Sequence, residues 1–256
     1  MQRTRNHGAY FMLLLSYILA LAGSLKPLLL VIAPLVALHA VTVDLTYSKM
    51  LARKLGKTDL SLMIINAIPY LFLFRPYFLI PATIFLLSII LSYAKVNVLP
   101  QILGTLGLSS LMLPWISLAG TVTILDISVY VVWCAYTVVE ALYVEYKLPF
   151  RKIGANVVRG TWAIFLLVGG AFSFLFPPLA LSLIEPSIRF FKPGEKLRSA
   201  SEIRELGKRG SKRTIALFAL LAFTLILYHI FGVLGVIMPS VVGSFTVTQA
   251  TYGHLA

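Results

Sequence analysis

The sequence predicts an all-α membrane protein, a polytopic transmembrane helix bundle of about nine spans, with its N-terminus cytoplasmic and its C-terminus outside. Three observations lead there. Hydrophobic residues make up 59% of the 256 and charged residues only 12%, where a soluble domain has roughly half and about a quarter. The apolar residues come in long runs without period-2 alternation, and in hydrocarbon only a helix or a closed barrel pairs its own backbone, so these runs read as helices. The 22 Lys and Arg lie between the runs and fall almost wholly on alternate connections, as in a chain oriented by cationic cytoplasmic loops.

The predicted spans are 9–24, 27–46, 60–74, 77–93, 98–118, 122–143, 160–176, 178–192 and 214–238. The first follows Arg3 and Arg5 and ends at Ala20-Leu21-Ala22, which is also the make-up of a signal peptide; we read it as a retained span. Pro34, Pro69, Pro81 and Pro114 fall inside the second to fifth spans and predict kinks, because each frees a carbonyl that a neighbour must satisfy. The third, fourth, seventh and eighth are shorter than the roughly 20 residues that cross a 30 Å core. Length alone therefore leaves the crossing of the 60–93 and 160–192 hairpins open. The pairs Gly104 with Gly107, Gly169 with Gly170 and Gly232 with Gly235 predict close helix approach. The chain reads as one transmembrane domain over 1–256, with a basic cytoplasmic loop at 189–213.

Charge placement supports this count. Arg3, Arg5, Lys49, Arg53, Lys54, Lys57, Lys95, Lys147, Arg151, Lys152, Arg159 and the nine cations of 189–213 all fall on one side, leaving Lys26 and Arg75 on the other. The formal charge of +13 would suit nucleic acid on a soluble surface, but its confinement to loops excludes that partner and points to membrane lipids, with a membrane protein as a second kind of partner. The expected location is the cell membrane. The single cysteine, Cys134, lies inside a span, so no disulfide or Cys-based metal site forms within the chain; no metal or cofactor motif is complete.

Ionisable groups in or beside spans are costly and are the natural site candidates. Tyr136, Glu140 and Tyr143 fall on one face of the sixth span, with Glu145 just beyond. Asp44 ends the second span on the same side, His7 begins the first and Arg159 the seventh. Together they predict a polar cluster at the cytoplasmic boundary, with Gly8 letting the first helix approach closely and His7 meeting a carboxylate. In the basic loop, Ser199-Ala200-Ser201-Glu202 has capping-box spacing for a short surface helix ended by Gly207. Lys196, Arg198, Arg204, Lys208, Arg209, Lys212 and Arg213 are its expected contacts with anionic lipid or phosphate. His39 and His229 would suit a haem only at matching depth; at 1.5 Å per residue they lie about 10 Å and about 22 Å from the cytoplasmic side. Interhelical hydrogen bonding is the better reading. His254, in the C-terminal tail, reads as solvated.

The run Arg5-Asn6-His7-Gly8-Ala9-Tyr10, entering directly into the first span, resembles the opening of the YwiC-like membrane protein family. Arg159-Gly160-Thr161-Trp162-Ala163, the Phe176-Pro177-Pro178 turn and Leu206-Gly207 fall where that family carries similar features. The resemblance implies the architecture, since the family has no settled activity. The layout is also similar to that of UbiA-type prenyltransferases, whose site opens at the cytoplasmic ends of the second and sixth spans; Asp44, Glu140 and Glu145 fall there, without the Asp-rich motifs. The leading expectation is a non-catalytic lipid-, quinone- or partner-binding protein. A lipid-modifying transferase of UbiA-like layout and a small-solute transporter are the alternatives.

Overall fold

The computed structural model describes residues 7–24 and 26–231, and among them every regular element is helical. In chain order these are α1 (His7–Ser24), α2 (Pro27–Val31), α3 (Ala33–Leu51), α4 (Lys57–Phe72), α5 (Leu79–Tyr93), α6 (Leu99–Ser110), α7 (Met112–Ala119), α8 (Ile124–Lys147), α9 (Ala155–Leu175), α10 (Pro178–Phe191) and α11 (Ala200–Phe231). Since α2 runs into α3 through Ile32 and α6 into α7 through Leu111, these eleven helices make nine rods among the described residues. The breaks precede Pro34 and Pro114, whose rings lack an N–H and crowd the turn before them. Pro81 sits in the first turn of α5, where an N–H would be unpaired anyway, and breaks nothing; Pro69 lies within α4.

Five rods are long and apolar enough to cross a membrane: Pro76–Tyr93, Leu99–Ala119, Ile124–Lys147, Ala155–Leu175 and Ala200–His229. The seventh predicted span thus gains length through an early start at Ala155, whereas the fourth, with its 3-10 turn at Pro76–Phe78, reaches only 18 residues. At 16 and 14 residues, α4 and α10 stay short.

Successive rods alternate in direction, and their contacts show it. Lys49 at the end of α3 pairs with Asp59 at the start of α4 at 2.5 Å, and Arg53 Nε donates to the Ser92 carbonyl at the end of α5 at 2.7 Å. Beyond α8 and α10, Leu197 N–H donates to the Lys147 carbonyl at 2.9 Å, Tyr146 OH to the Gly194 carbonyl and Lys196 Nζ to the Arg151 carbonyl. The cation-rich connections therefore gather at one end. Lys26 approaches Gly120 at the other, where Thr123 and Asp126 cap α8 reciprocally, with N–H to carboxylate and N–H to hydroxyl bonds of 2.8 and 3.2 Å.

The core is built on α1, α6, α7 and α8, with α11 laid against α1 and α8. Trp115, Trp133 and Trp162 are fully buried. Polar side chains join helices across the bundle: Trp133 Nε1 on α8 donates to Ser16 Oγ on α1 at 3.0 Å, Ser109 and Thr137 share a bond of 2.8 Å between α6 and α8, and Trp162 Nε1 on α9 donates to Ser187 Oγ on α10 at 3.1 Å. The close approaches predicted at Gly104 and Gly107 are present, since a Cβ there would lie 2.6 Å from the Tyr47 hydroxyl and 2.9 Å from the Phe85 ring. A Cβ on Gly169 would lie 3.2 Å from Leu183, whereas one on Gly170 would meet open space; Gly232 and Gly235 are outside the described residues.

One expectation in the basic loop is corrected. Glu202 N–H bonds Ser199 Oγ at 3.3 Å, as a cap requires, but the helix does not stop at Gly207: it runs 32 residues in all, from Ala200 to Phe231, into the last span. Extending a formed helix adds one bond per residue with no new nucleation, which outweighs the roughly 1 kcal/mol that a glycine costs.

Candidate functional site

Helices α1, α3, α6, α8 and α11 line a half-open cavity of about 380 Å³ at the cation-rich end. Most of its wall is apolar, from residues such as Phe11, Leu51, Ile102, Ala141 and Val144. Its polar groups are the carboxylates of Glu140 and Glu145, the hydroxyls of Tyr47, Thr105, Tyr136, Thr137, Ser211 and Thr214, and the Gln101 amide. No Lys or Arg is among the described lining residues.

Both carboxylates are held from behind. Arg189, 7% exposed, comes off α10 and pairs with Glu140 through Nη1, while its Nη2 donates to Tyr136 OH at 3.3 Å and its Nε to Glu185 at 3.2 Å. The guanidinium lies over three rings, at 4.3 Å from the centre of Phe190, 5.1 Å from Tyr143 and 5.8 Å from Tyr136. Arg213 of α11 reaches the same Glu185 oxygen at 3.3 Å. A buried guanidinium of this kind must be compensated on every side, and here carboxylate, phenol and ring faces do so. Glu145 contacts Arg151 Nε at 2.7 Å, and Arg151 Nη2 reaches Gln101 Oε1 at 3.5 Å. Glu140 comes so close to Gly210 that a Cβ there would lie 3.2 Å from its Oε1, so the continuous α11 is what closes the cavity.

Tyr136, Glu140 and Tyr143 do share a face, and Arg189 is the group they face together. Tyr143 turns from the cavity toward a more open depression of about 610 Å³ beside Glu185, Lys192 and Arg213. Asp44 is half-buried on α3 and is not among the described lining residues of the cavity. Arg159 is elsewhere: it ties α9 to α10 through the Phe191 carbonyl at 3.0 Å and reaches Asn156 at 3.1 Å. The side chain of His7, and with it the predicted contact to a carboxylate, lies outside the described residues. Gly8 lines the cavity, but a Cβ on it would meet nothing within 4 Å; its lack of a side chain widens the cavity and does not serve close packing.

Arg189, Arg151 and Tyr47 were missed from sequence. Arg189 carried a usable signal, a cation four residues after Glu185 within a predicted span, which a bilayer tolerates only when it is paired. Of the expected lipid contacts, Lys196 is bound to the Arg151 carbonyl, and Arg198, Arg209 and Arg213 pair with Glu195, Glu205 and Glu185 at 2.9, 2.9 and 3.3 Å. Arg204, Lys208 and Lys212 are exposed along α11. Among the described residues no three His, Cys, Asp or Glu side chains converge as a cation site. His39 bonds Asn66 at 3.1 Å, and His229 packs against the Tyr228 ring; His254 is outside the described residues. No protein-family model, curated protein or solved structure matches this chain. What is established is a helical bundle in which five helices among the described residues are long and apolar enough to span a membrane.

Proposed function

We propose that this is a nine-span membrane protein of the YwiC-like kind, N-terminus cytoplasmic and C-terminus outside, that binds an amphipathic lipid without transforming it. The observation that carries this reading is the cavity itself: mostly apolar walls for a chain, and the carboxylates of Glu140 and Glu145 in the lining for a head group that donates hydrogen bonds. A diphosphate substrate is poorly matched, because both carboxylates are already engaged by arginines that stand outside the lining. Arg204, Lys208 and Lys212 add an electrostatic attraction to anionic head groups, worth about 1 kcal/mol each near a charged surface.

Native mass spectrometry of the purified protein should show a lipid adduct of one-to-one stoichiometry that disappears in Ala141→Phe, which fills the cavity, while the melting temperature holds. An adduct that survives this substitution is bound elsewhere, and turnover of a prenyl diphosphate would establish the transferase instead. For the topology, cysteines placed at Ser201 and Thr251 in a Cys134→Ala background should differ in intact cells. Thr251 should label from outside and Ser201 should not; labelling of both would end the nine-span arrangement.

A further inference from the structure

Away from the boundary cavity, α3, α4 and α5 hold a polar pair at mid-depth. Asn66 lies about 14 Å along α4 from Lys57 at 1.5 Å per residue. Its Nδ2 is 3.1 Å from His39 Nδ1 on α3. The pair stands between two cavities. One, of about 180 Å³, is lined by both residues with Thr42, Thr46, Met63 and Phe85; the other, of about 280 Å³, by His39 with Tyr70, Phe74 and Phe78. Small-molecule sites run about 300 to 1,000 Å³, which these two reach only when taken together. Leu71, Phe74 and Leu79 on the rim of the second cavity are exposed, as are Leu86 and Leu87 on the outer face of α5. The opening is thus toward hydrocarbon.

The hydrogen-bonding capacity of the pair is only half used. With Asn66 Nδ2–H donating to Nδ1, the neutral imidazole keeps its Nε2–H as a donor, and Asn66 Oδ1, buried without a partner, remains as an acceptor. Turning the amide over exchanges the roles, so that the amide N–H groups donate and Nε2 accepts; in either orientation donors and an acceptor stay open. Thr42 and Thr46 give their protons to the carbonyls of Leu38 and Thr42 at 2.8 and 2.7 Å, so neither donates to Asn66 Oδ1, and the Tyr70 hydroxyl in the second cavity is likewise buried without a partner. No Lys, Arg, Asp or Glu is among the described residues lining either cavity, so a charged head would find no counter-ion.

We propose that the paired cavities at His39 and Asn66 form a second ligand site, which takes from the bilayer a neutral lipid carrying a hydroxyl head, a compact group that donates and accepts at once. Tyr47 walls it from the boundary cavity, and the proposal does not rest on the lipid bound there. Two sources share this chemistry, an isoprenoid alcohol and a reduced quinone. The test uses the full chain in nanodiscs, with geranylgeraniol and decylubiquinol as probes, each against its methyl ether, which accepts but cannot donate. Saturable binding is expected, with at least one hydroxyl compound preferred over its ether by about tenfold, the loss expected when one buried polar group is left unpaired. The compound that binds more tightly names the source. His39→Leu/Asn66→Leu should abolish the preference, and Ala67→Phe, which fills the second cavity, should weaken binding of alcohol and ether alike, both with the melting temperature kept. Equal affinity for alcohol and ether, a preference that survives the double substitution, or uptake no greater than by empty nanodiscs would overturn the site.

Discussion

The rods α6–α7 and α5 are neighbours of similar apolarity, yet 72% of the apolar window within Leu99–Ala119 is buried against 22% of that within Pro76–Tyr93. The difference between them is in their small and polar residues. The buried rod carries Gly104, Gly107, Ser109, Ser110 and Ser117 and touches α1, α5 and α8, whereas the outer rod presents Leu79, Leu86, Leu87 and Ile90 outward. In a bilayer, lipid competes with protein for apolar side chains on equal terms. Close backbone approach and hydrogen bonds that lipid cannot supply therefore decide which helices are central. The same contrast separates the two candidate sites: the boundary cavity is backed by ion pairs deep in the bundle, and the His39 cavities by one hydrogen bond beside the lipid face.

The sharpest way to break this comparison is at Arg189. Arg189→Leu leaves Glu140 buried without its cation and should cost about 3–5 kcal/mol, read as a large drop in melting temperature. Arg189→Leu/Glu140→Leu, which removes both charges, should recover most of it. A single variant as stable as the double one would mean that Glu140 does not depend on this pair.

A smaller effect compares glycines inside and outside the core. Gly104→Val drives a side chain into Tyr47, whose hydroxyl would lie 2.6 Å from the new Cβ, at a cost of about 1–3 kcal/mol. At Gly170 an added Cβ would meet nothing within 4 Å, so Gly170→Val should stay within about 0.5 kcal/mol of the parent. Equal melting temperatures for the two would remove the distinction between central and outer helices.

The smallest effect is a pH dependence at the connection between α3 and α4. The hydrogen bond from Lys49 to Asp59, seconded by the Gly56 N–H at 2.9 Å, holds this carboxyl below the ordinary carboxylate range. A carboxyl depressed in the folded state releases its proton more readily there than in the unfolded chain. Its stabilisation is therefore complete above the usual aspartate value of about 4 and fades as pH falls through the lower folded value. Asp59→Asn should melt slightly lower than the parent at neutral pH, and the gap should close in acid. A gap that widens in acid would reverse the assigned sign.

Much of the fold was legible because its causes are local. Run length, the side on which Lys49, Arg53, Lys95 and Lys147 fall, and the positions of Pro34 and Pro114 act through hydration, charge and ring sterics within a few residues, and they fixed the rods and both breaks. The candidate site was legible only in part. The 3.6-residue period puts Tyr136, Glu140 and Tyr143 on one face of α8, and the structure keeps them there. What faces them depends on how α10 and α11 return to α8, a matter of packing between distant segments. Arg189 rather than Arg159 therefore fills the cationic place, and Asp44 is not among the described lining residues of the cavity.

By itself, then, the sequence determined an apolar helical chain with its cations gathered toward one end, because partition into hydrocarbon and electrostatic orientation follow from composition and order along the chain. Only the tertiary structure decided that α11 runs unbroken to close the boundary cavity, that Arg189 braces Glu140, and that His39 meets Asn66 between two apolar pockets. A buried polar group must find partners, and which ones lie within reach is fixed by the packing of whole helices, which no local pattern encodes.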